Sequence, residues 1–379
     1  MTLRASRPEA GAKQKGWVTM DINVHMERGI ATILQTAARF YLKDKNGRRF
    51  ITKFIPTMQA SAKIRNGYEQ AGIHIPPFLI ASVASQCNLY CTGCYARAGG
   101  ICGTAMAEME MNTEDWNRIF CEAADLGISF ILLAGGEPLL RREIVEIASN
   151  FTNIAFPVFT NGTLIDAEYI DLFDQRRNII PVLSSEGNSK ETDLRRGLGI
   201  STKIEQVMEE LRQRNILFGT SITVTKNNLD TVVSREYVSA LQKKGCGIIF
   251  YVEYVPAEKG TEDLVLSKDA AVMLDENIRK LKCDFKNMSL ISFPGDEKYM
   301  GGCLAAGRGF FHINPLGNAE PCPFSPYSEL NLKTTSIIEV LQSPFFEKIR
   351  LIGKYEAENK GGGCALLQHK QEVEKLIGV

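Results

Sequence analysis

Three cysteines, Cys87, Cys91 and Cys94, stand in the stretch Ser85-Gln86-Cys87-Asn88-Leu89-Tyr90-Cys91-Thr92-Gly93-Cys94-Tyr95. Thiolates are soft ligands, and a C-x3-C-x2-C loop can wrap three of them around a cube of iron and sulfide. No fourth cysteine stands at this spacing, which leaves one iron open to another ligand; ferredoxin-type ligation uses four. Structural zinc and unrelated buried thiols are the competing readings. Zinc wants four nitrogen or sulfur ligands, in paired C-x2-C form. The neighbours Asn88, Thr92 and Gly93 are not those of a core segment. The whole chain has ten cysteines and only four histidines, His25, His74, His312 and His369, none at metal-site spacing from a cysteine. Any bound metal is therefore carried by thiolates.

Other positions carry the same kind of signal. The run Ala134-Gly135-Gly136-Glu137-Pro138-Leu139 ends an apolar segment. Its two glycines let a ligand approach the backbone closely, and Pro138 stiffens the exit; a tight strand-to-helix turn is the plainer account. Thr160-Asn161-Gly162 and Ser184-Ser185-Glu186-Gly187 close two later runs, the second followed by Asp193-Leu194-Arg195-Arg196-Gly197. Arg196 has the planar fork that clamps a carboxylate, although a solvated charge at a helix end is the alternative. Cys303, Cys322 and Cys364 each have glycine or proline close by, as where backbone must fold round a metal; isolated structural thiols remain the alternative. Three cysteines allow at most one further cluster. Cys283 is the rival fourth ligand, yet it ends a helical stretch with no glycine beside it, which suits packing. Cys102, Cys121 and Cys246 receive no role.

Apolar runs at Phe78–Val83, Ile128–Ala134, Ile154–Phe159, Ile179–Leu183, Ile216–Val224 and Ile248–Val255 alternate with amphipathic helical stretches. Runs apolar throughout imply strands covered on both faces, hence a parallel sheet with crossover helices. The expected fold is α/β: a partial (β/α)6 TIM-type barrel over residues 78–295, with chemistry at the C-terminal strand ends. Residues 1–77 read as a helical extension stopped by Pro76-Pro77, placed on or over the barrel mouth. Residues 296–379 read as a small module with the later cysteines. A chain of 379 residues, 44% hydrophobic, suits one barrel-sized domain with appendages. Its 44 basic and 44 acidic side chains cancel, so nothing draws it to nucleic acid or an anionic membrane. The longest apolar stretches fall far short of the ~20 residues of a spanning helix, and no apolar signal core follows the basic stretch Met1 to Trp17. A cytoplasmic protein is expected.

The cysteine loop after the first strand, with Gly135-Gly136-Glu137-Pro138 one β/α unit later, resembles the radical S-adenosylmethionine (radical SAM) superfamily. That family usually has an aromatic residue just before the last cysteine; here Gly93 stands there and Tyr95 follows, a form similar to the peptide-modifying branch. The resemblance implies a [4Fe–4S] cluster on Cys87, Cys91 and Cys94 that binds S-adenosylmethionine. It also implies that Gly135, Gly136, Glu137 and Pro138 hold the methionyl amino group, that Ser184 and Arg196 meet ribose and carboxylate, and that Asn161 joins this set. Glu186 replaces the family's usual aspartate. The segments around Cys303, Cys322 and Cys364 resemble a SPASM or Twitch module, which implies an auxiliary [4Fe–4S] cluster.

Such an enzyme takes an electron from an external low-potential donor of flavodoxin or ferredoxin type. It splits S-adenosylmethionine into methionine and a 5′-deoxyadenosyl radical, which abstracts hydrogen from substrate. A peptide or protein side chain is the leading substrate class. A small metabolite of cofactor, haem-type or natural-product biosynthesis is the alternative. A non-catalytic iron–sulfur electron carrier is the third reading, but it needs neither an open iron nor G-G-E-P.

Overall fold

All six apolar runs form strands: β1 (Phe78–Ala84), β2 (Phe130–Gly135), β3 (Phe156–Thr160), β4 (Ile179–Ser184), β5 (Gly219–Val224) and β6 (Ile248–Glu253). The computed structural model describes residues 22–100, 102–358 and 364–378; Met1 to Trp17 and Gly361 to Gly363 lie outside them. Neighbouring strands pair in parallel with consecutive register, as from Phe78↔Phe130 to Ala81↔Leu133 and from Phe156↔Ile179 to Thr160↔Leu183. Residues with no polar side chain on either face can sit only where both faces are covered, and β4 is buried from Ile179 through Leu183.

The sheet is larger than six strands. A seventh parallel strand, β7 (Ser289–Phe293), adds beyond β6. At the other edge β8 (His312–Ile313) pairs in parallel with β1, and β9 (Ala319–Glu320) pairs antiparallel with β8. The order β7-β6-β5-β4-β3-β2-β1-β8-β9 leaves an open, partial barrel to which the C-terminal segment contributes an edge.

A buried polar chain fastens that edge. Ser82 Oγ lies 2.8 Å from His312 Nε2, His312 Nδ1 lies 2.7 Å from Glu320 Oε2, and Asn314 Nδ2 donates to Glu320 Oε1 at 2.7 Å. All four side chains are buried. Buried polar groups are costly when unpaired, so such a chain holds together as a unit.

The N-terminal helices α1 (Ile22–Tyr41) and α2 (Lys45–Gln70) do not sit at the mouth. Their apolar residues Ile30, Ala37, Tyr41, Ile51, Phe54 and Met58 form a second core with Phe130, Ala155, Ile180, Leu217 and Ile248. Those five mark the beginnings of strands, so the hairpin covers the end of the barrel opposite the cysteine loop. Tyr41 OH donates to the Arg177 carbonyl at 2.8 Å, and Arg65 NH1 to Ser129 Oγ at 2.9 Å. The bare strand starts are the physical reason: an apolar barrel floor needs cover. Among the described residues, no helix is long and apolar enough to cross a membrane.

Phe54, 3% exposed in this second core, gives the test. Phe54→Ala should cost about 3–5 kcal/mol in urea unfolding, and a chain lacking residues 1–70 should be insoluble or melt far below the full chain. A truncated chain with an unchanged melt would show the hairpin to be dispensable.

Candidate functional site

The cysteine loop has no helix or strand of its own between Ser85 and Cys94. Neighbouring strand ends hold it. Gly136 N–H donates to the Ala84 carbonyl and Glu137 N–H to the Gln86 carbonyl, both at 2.7 Å, so the β1–β2 ladder runs on into the loop. A Cβ on Gly136 would run into the Gln86 carbonyl, and Gly135 sits at φ +130° with a Cβ position blocked by Ala84. From the end of β3, Asn161 Nδ2 donates to Asn88 Oδ1 at 2.9 Å. From the helix Ser189–Arg196, the Arg195 carbonyl accepts Thr92 N–H at 3.1 Å. Beyond β6, Glu258 Oε2 accepts Gly93 N–H at 2.8 Å.

The three thiols open onto a cavity of about 880 Å³ inside the barrel. Gly135, Gly136, Glu137, Asn161, Ser184 and Arg196 line the same cavity. Pro138 does not; it is buried in the turn behind and only shapes it. The rest of the wall is mostly apolar, from Ile80 and Leu132 to Phe250 and Phe293.

Two buried carboxylates, Glu137 on the cavity wall and Glu186 behind Arg195 and Arg196, stand in different charge surroundings. Glu137 accepts hydrogen bonds from Leu139 N–H, Thr160 Oγ1 and Asn161 N–H at 3.1, 2.7 and 2.8 Å; burial still holds its carboxyl above the usual value. Burial also works to raise Glu186, but Arg195 and Arg196 outweigh it and hold the carboxylate below its ordinary value. Arg196 Nε donates to Glu186 Oε1 at 2.7 Å, while its NH1 lies 3.9 Å from Cys91 Sγ. The capping box between Asn188 and Glu191 starts the helix that delivers both arginines. Arg195, which the sequence did not single out, lines the cavity with a buried Nε that has no hydrogen-bond partner among the described residues.

Residues 82–234 match the radical SAM superfamily. The chain carries a radical SAM domain. The AdoMet-dependent heme synthase of Methanosarcina barkeri is 26% identical over 325 residues, covering 78% of this chain and 89% of its own. The PqqA peptide cyclase of Rhizobium meliloti is 25% identical, over 65% of this chain and 68% of its own. SuiB of Streptococcus suis, solved with S-adenosylmethionine bound, shares the fold at a TM-score of 0.61 and 18% identity, over 82% of this chain and 74% of SuiB. Radical SAM enzymes use a [4Fe–4S] cluster and S-adenosylmethionine, and the donor set fits them. Burial pushes the Cys87 thiol up to about 11; a thiol so placed keeps its proton unless a cation replaces it. Cys102, given no role by the sequence, lies within electrostatic reach of Cys87.

Beside the radical SAM domain, the later cysteines also converge. Cys303, Cys322 and Cys364 feel one another's charge, and burial holds all three thiols high, Cys364 at about 11. All are free thiols, and Gly353 makes room for Cys303: a Cβ there would lie 3.1 Å from Cys303 Cβ. Cys283 and Cys121 are exposed and Cys246 is buried among barrel residues. Among the described residues no three His, Cys, Asp or Glu side chains close on a single-ion site; a cubane holds its ligands at separate corners.

Two carboxylates escaped the sequence reading. Glu253 ends β6 and lines the cavity; burial pushes it up to about 7 despite Lys298. Glu297 is likewise pushed to about 7 by burial. The position of Glu253 at a strand end was the available signal; for Glu297 there was none. Because folding favours protonated Glu253, its contribution to stability is full below about 4.5 and is lost as pH rises through about 7. Glu253→Gln should therefore melt higher than the parent above that range and decline less steeply across it. Parallel melting-versus-pH curves would contradict this.

Proposed function

We propose that the protein reductively cleaves S-adenosylmethionine at Cys87, Cys91 and Cys94, and that the 5′-deoxyadenosyl radical abstracts hydrogen from a substrate held in the barrel cavity. The observation that supports this reading is the meeting of the three thiols with Gly135, Gly136, Glu137, Asn161, Ser184 and Arg196 on one cavity wall. A cluster held by those thiols would supply, once reduced by an external donor, the electron that splits the sulfonium bond. The chain's own groups do the rest. Gly135 and Gly136 expose backbone to the methionyl amino group, with Glu137 as counter-charge. Arg196, already steadied by Glu186 and with NH1 3.9 Å from Cys91 Sγ, would offer that NH1 to the methionyl carboxylate. Ser184 and Asn161 meet the ribose. The apolar wall keeps water from the radical.

In this reading residues 78–295 are the radical SAM barrel, 1–77 an N-terminal extension whose α1–α2 hairpin is the barrel floor, and 296–379 a SPASM/Twitch-like module with a second [4Fe–4S] cluster on Cys303, Cys322 and Cys364. A flavodoxin- or ferredoxin-type donor reduces the protein in the cytoplasm. A peptide or protein side chain remains one substrate class, in keeping with the PqqA peptide cyclase likeness. The cavity wall favours a second, a small metabolite with an apolar body, because it offers few groups to pair a peptide backbone. The heme synthase likeness, which spans more of both chains, agrees with that class.

Cys87→Ala, Cys91→Ala and Cys94→Ala, each reconstituted anaerobically with iron and sulfide and reduced with dithionite, should make 5′-deoxyadenosine at background only. Parent-like turnover in any one of them would remove that cysteine from the site.

A further inference from the structure

Glu297 lies within electrostatic reach of all three C-terminal cysteines. It lies on the short helical turn Gly295–Met300 that leaves β7 and is 9% exposed. The chain then folds back around it. Gly302 N–H donates to the Glu297 carbonyl and Leu304 N–H to Glu297 Oε1, each at 3.0 Å. These two bonds bracket the intervening Cys303, and the charge of Glu297 reaches it, Cys322 and Cys364. Among the described residues Oε2 takes no hydrogen bond and the carboxylate makes no ion pair. Arg308, the cation that acts on it, gives NH1 to the Cys303 carbonyl at 2.6 Å and NH2 to the Met300 carbonyl at 2.9 Å instead.

A buried carboxylate is costly unless a cation or donors meet it. Here one oxygen is oriented by a backbone N–H and the other, unpaired among the described residues but not sealed off, stays open to an incoming group, the arrangement by which outer hydrogen bonds aim a metal ligand. Cys283, the rival from the sequence, faces solvent.

We propose that Glu297 is the fourth ligand of the iron–sulfur cluster on Cys303, Cys322 and Cys364, binding iron through Oε2. This rests on the reading of those cysteines as a cluster site. The iron at that corner then carries a hard oxygen donor among soft thiolates, the ligand most readily exchanged for an incoming group.

The test uses the full chain with Cys87, Cys91 and Cys94 all changed to alanine, so that only the second site loads. After anaerobic reconstitution it should hold about four irons and give a cubane EPR signal on reduction. If this parent binds no iron, the cluster reading fails, and the ligand proposal with it. If it loads, Glu297→Gln, which keeps the Leu304 acceptor, should shift the EPR g-values or lose iron while the apo chain melts no lower than the parent. Glu297→Cys should restore about four irons with an all-thiolate spectrum. A Glu297→Gln protein with the parent's iron content and spectrum, or a Glu297→Cys protein that stays iron-free, overturns the proposal and leaves the cluster reading intact.

Discussion

A loop without secondary structure keeps its shape only through bonds borrowed from elsewhere, and the stretch from Ser85 to Cys94 is such a loop. Its borrowed bonds come from the ends of β1, β2 and β3, from the helix after β4 and from the segment after β6. Parallel strands make this possible, because every strand end then lies on the same face. The glycines at 135 and 136 follow from the same constraint. They are required first by the close approach of two backbones, with the Gln86 and Ala84 carbonyls where side chains would be. Access for a ligand comes second.

The rest of the molecule supports that face. The α1–α2 hairpin shields the opposite end, where the strand starts would otherwise leave an apolar floor in water. The helix Ser189–Arg196 presents two arginines to one buried carboxylate, and the excess positive charge faces the thiol of Cys91. Two cations on one anion leave a net charge to share with the ligand. An isolated buried arginine would have no comparable anchor.

The parts of this design differ in how openly the sequence carried them. Strands β1 to β6 were legible because a short run that is apolar throughout, bounded by turn residues and repeated between amphipathic helices, suits a strand covered on both faces. Strand β7 was not: Ser289-Leu290-Ile291-Ser292-Phe293 is short, and its two serines break the apolar run. The helices α1 and α2 were legible as helices, but periodicity says nothing about which end of a barrel they cover. The motif residues were legible through spacing, and of Cys87, Cys91, Cys94 and those linked to S-adenosylmethionine all but Pro138 reach the cavity, whereas Cys303, Cys322 and Cys364 do not line it. Glu253, Glu297 and Arg195 were hidden because burial and unpaired atoms belong to the packed chain, and no short pattern encodes them.

Packing joins the two cysteine groups in a way that neither group's spacing could reveal. Tyr95 follows Cys94 directly, and Phe324 follows Cys322 by two residues; their rings lie 5.4 Å apart, centroid to centroid. Both rings line the cavity. The residues that follow Cys94 and Cys322 therefore share one aromatic wall of the cavity. The Ser82–His312–Glu320 chain locks β1, which leads to the first site, to β8 and β9, which lead to Cys322. Packed aromatic contacts and buried hydrogen bonds resist gradual sliding. The separation of the two cysteine groups is thus set by the barrel edge itself, and a group bound in the cavity lies against Cys87, Cys91 and Cys94 on one side and against Pro323 and Phe324, next to Cys322, on another.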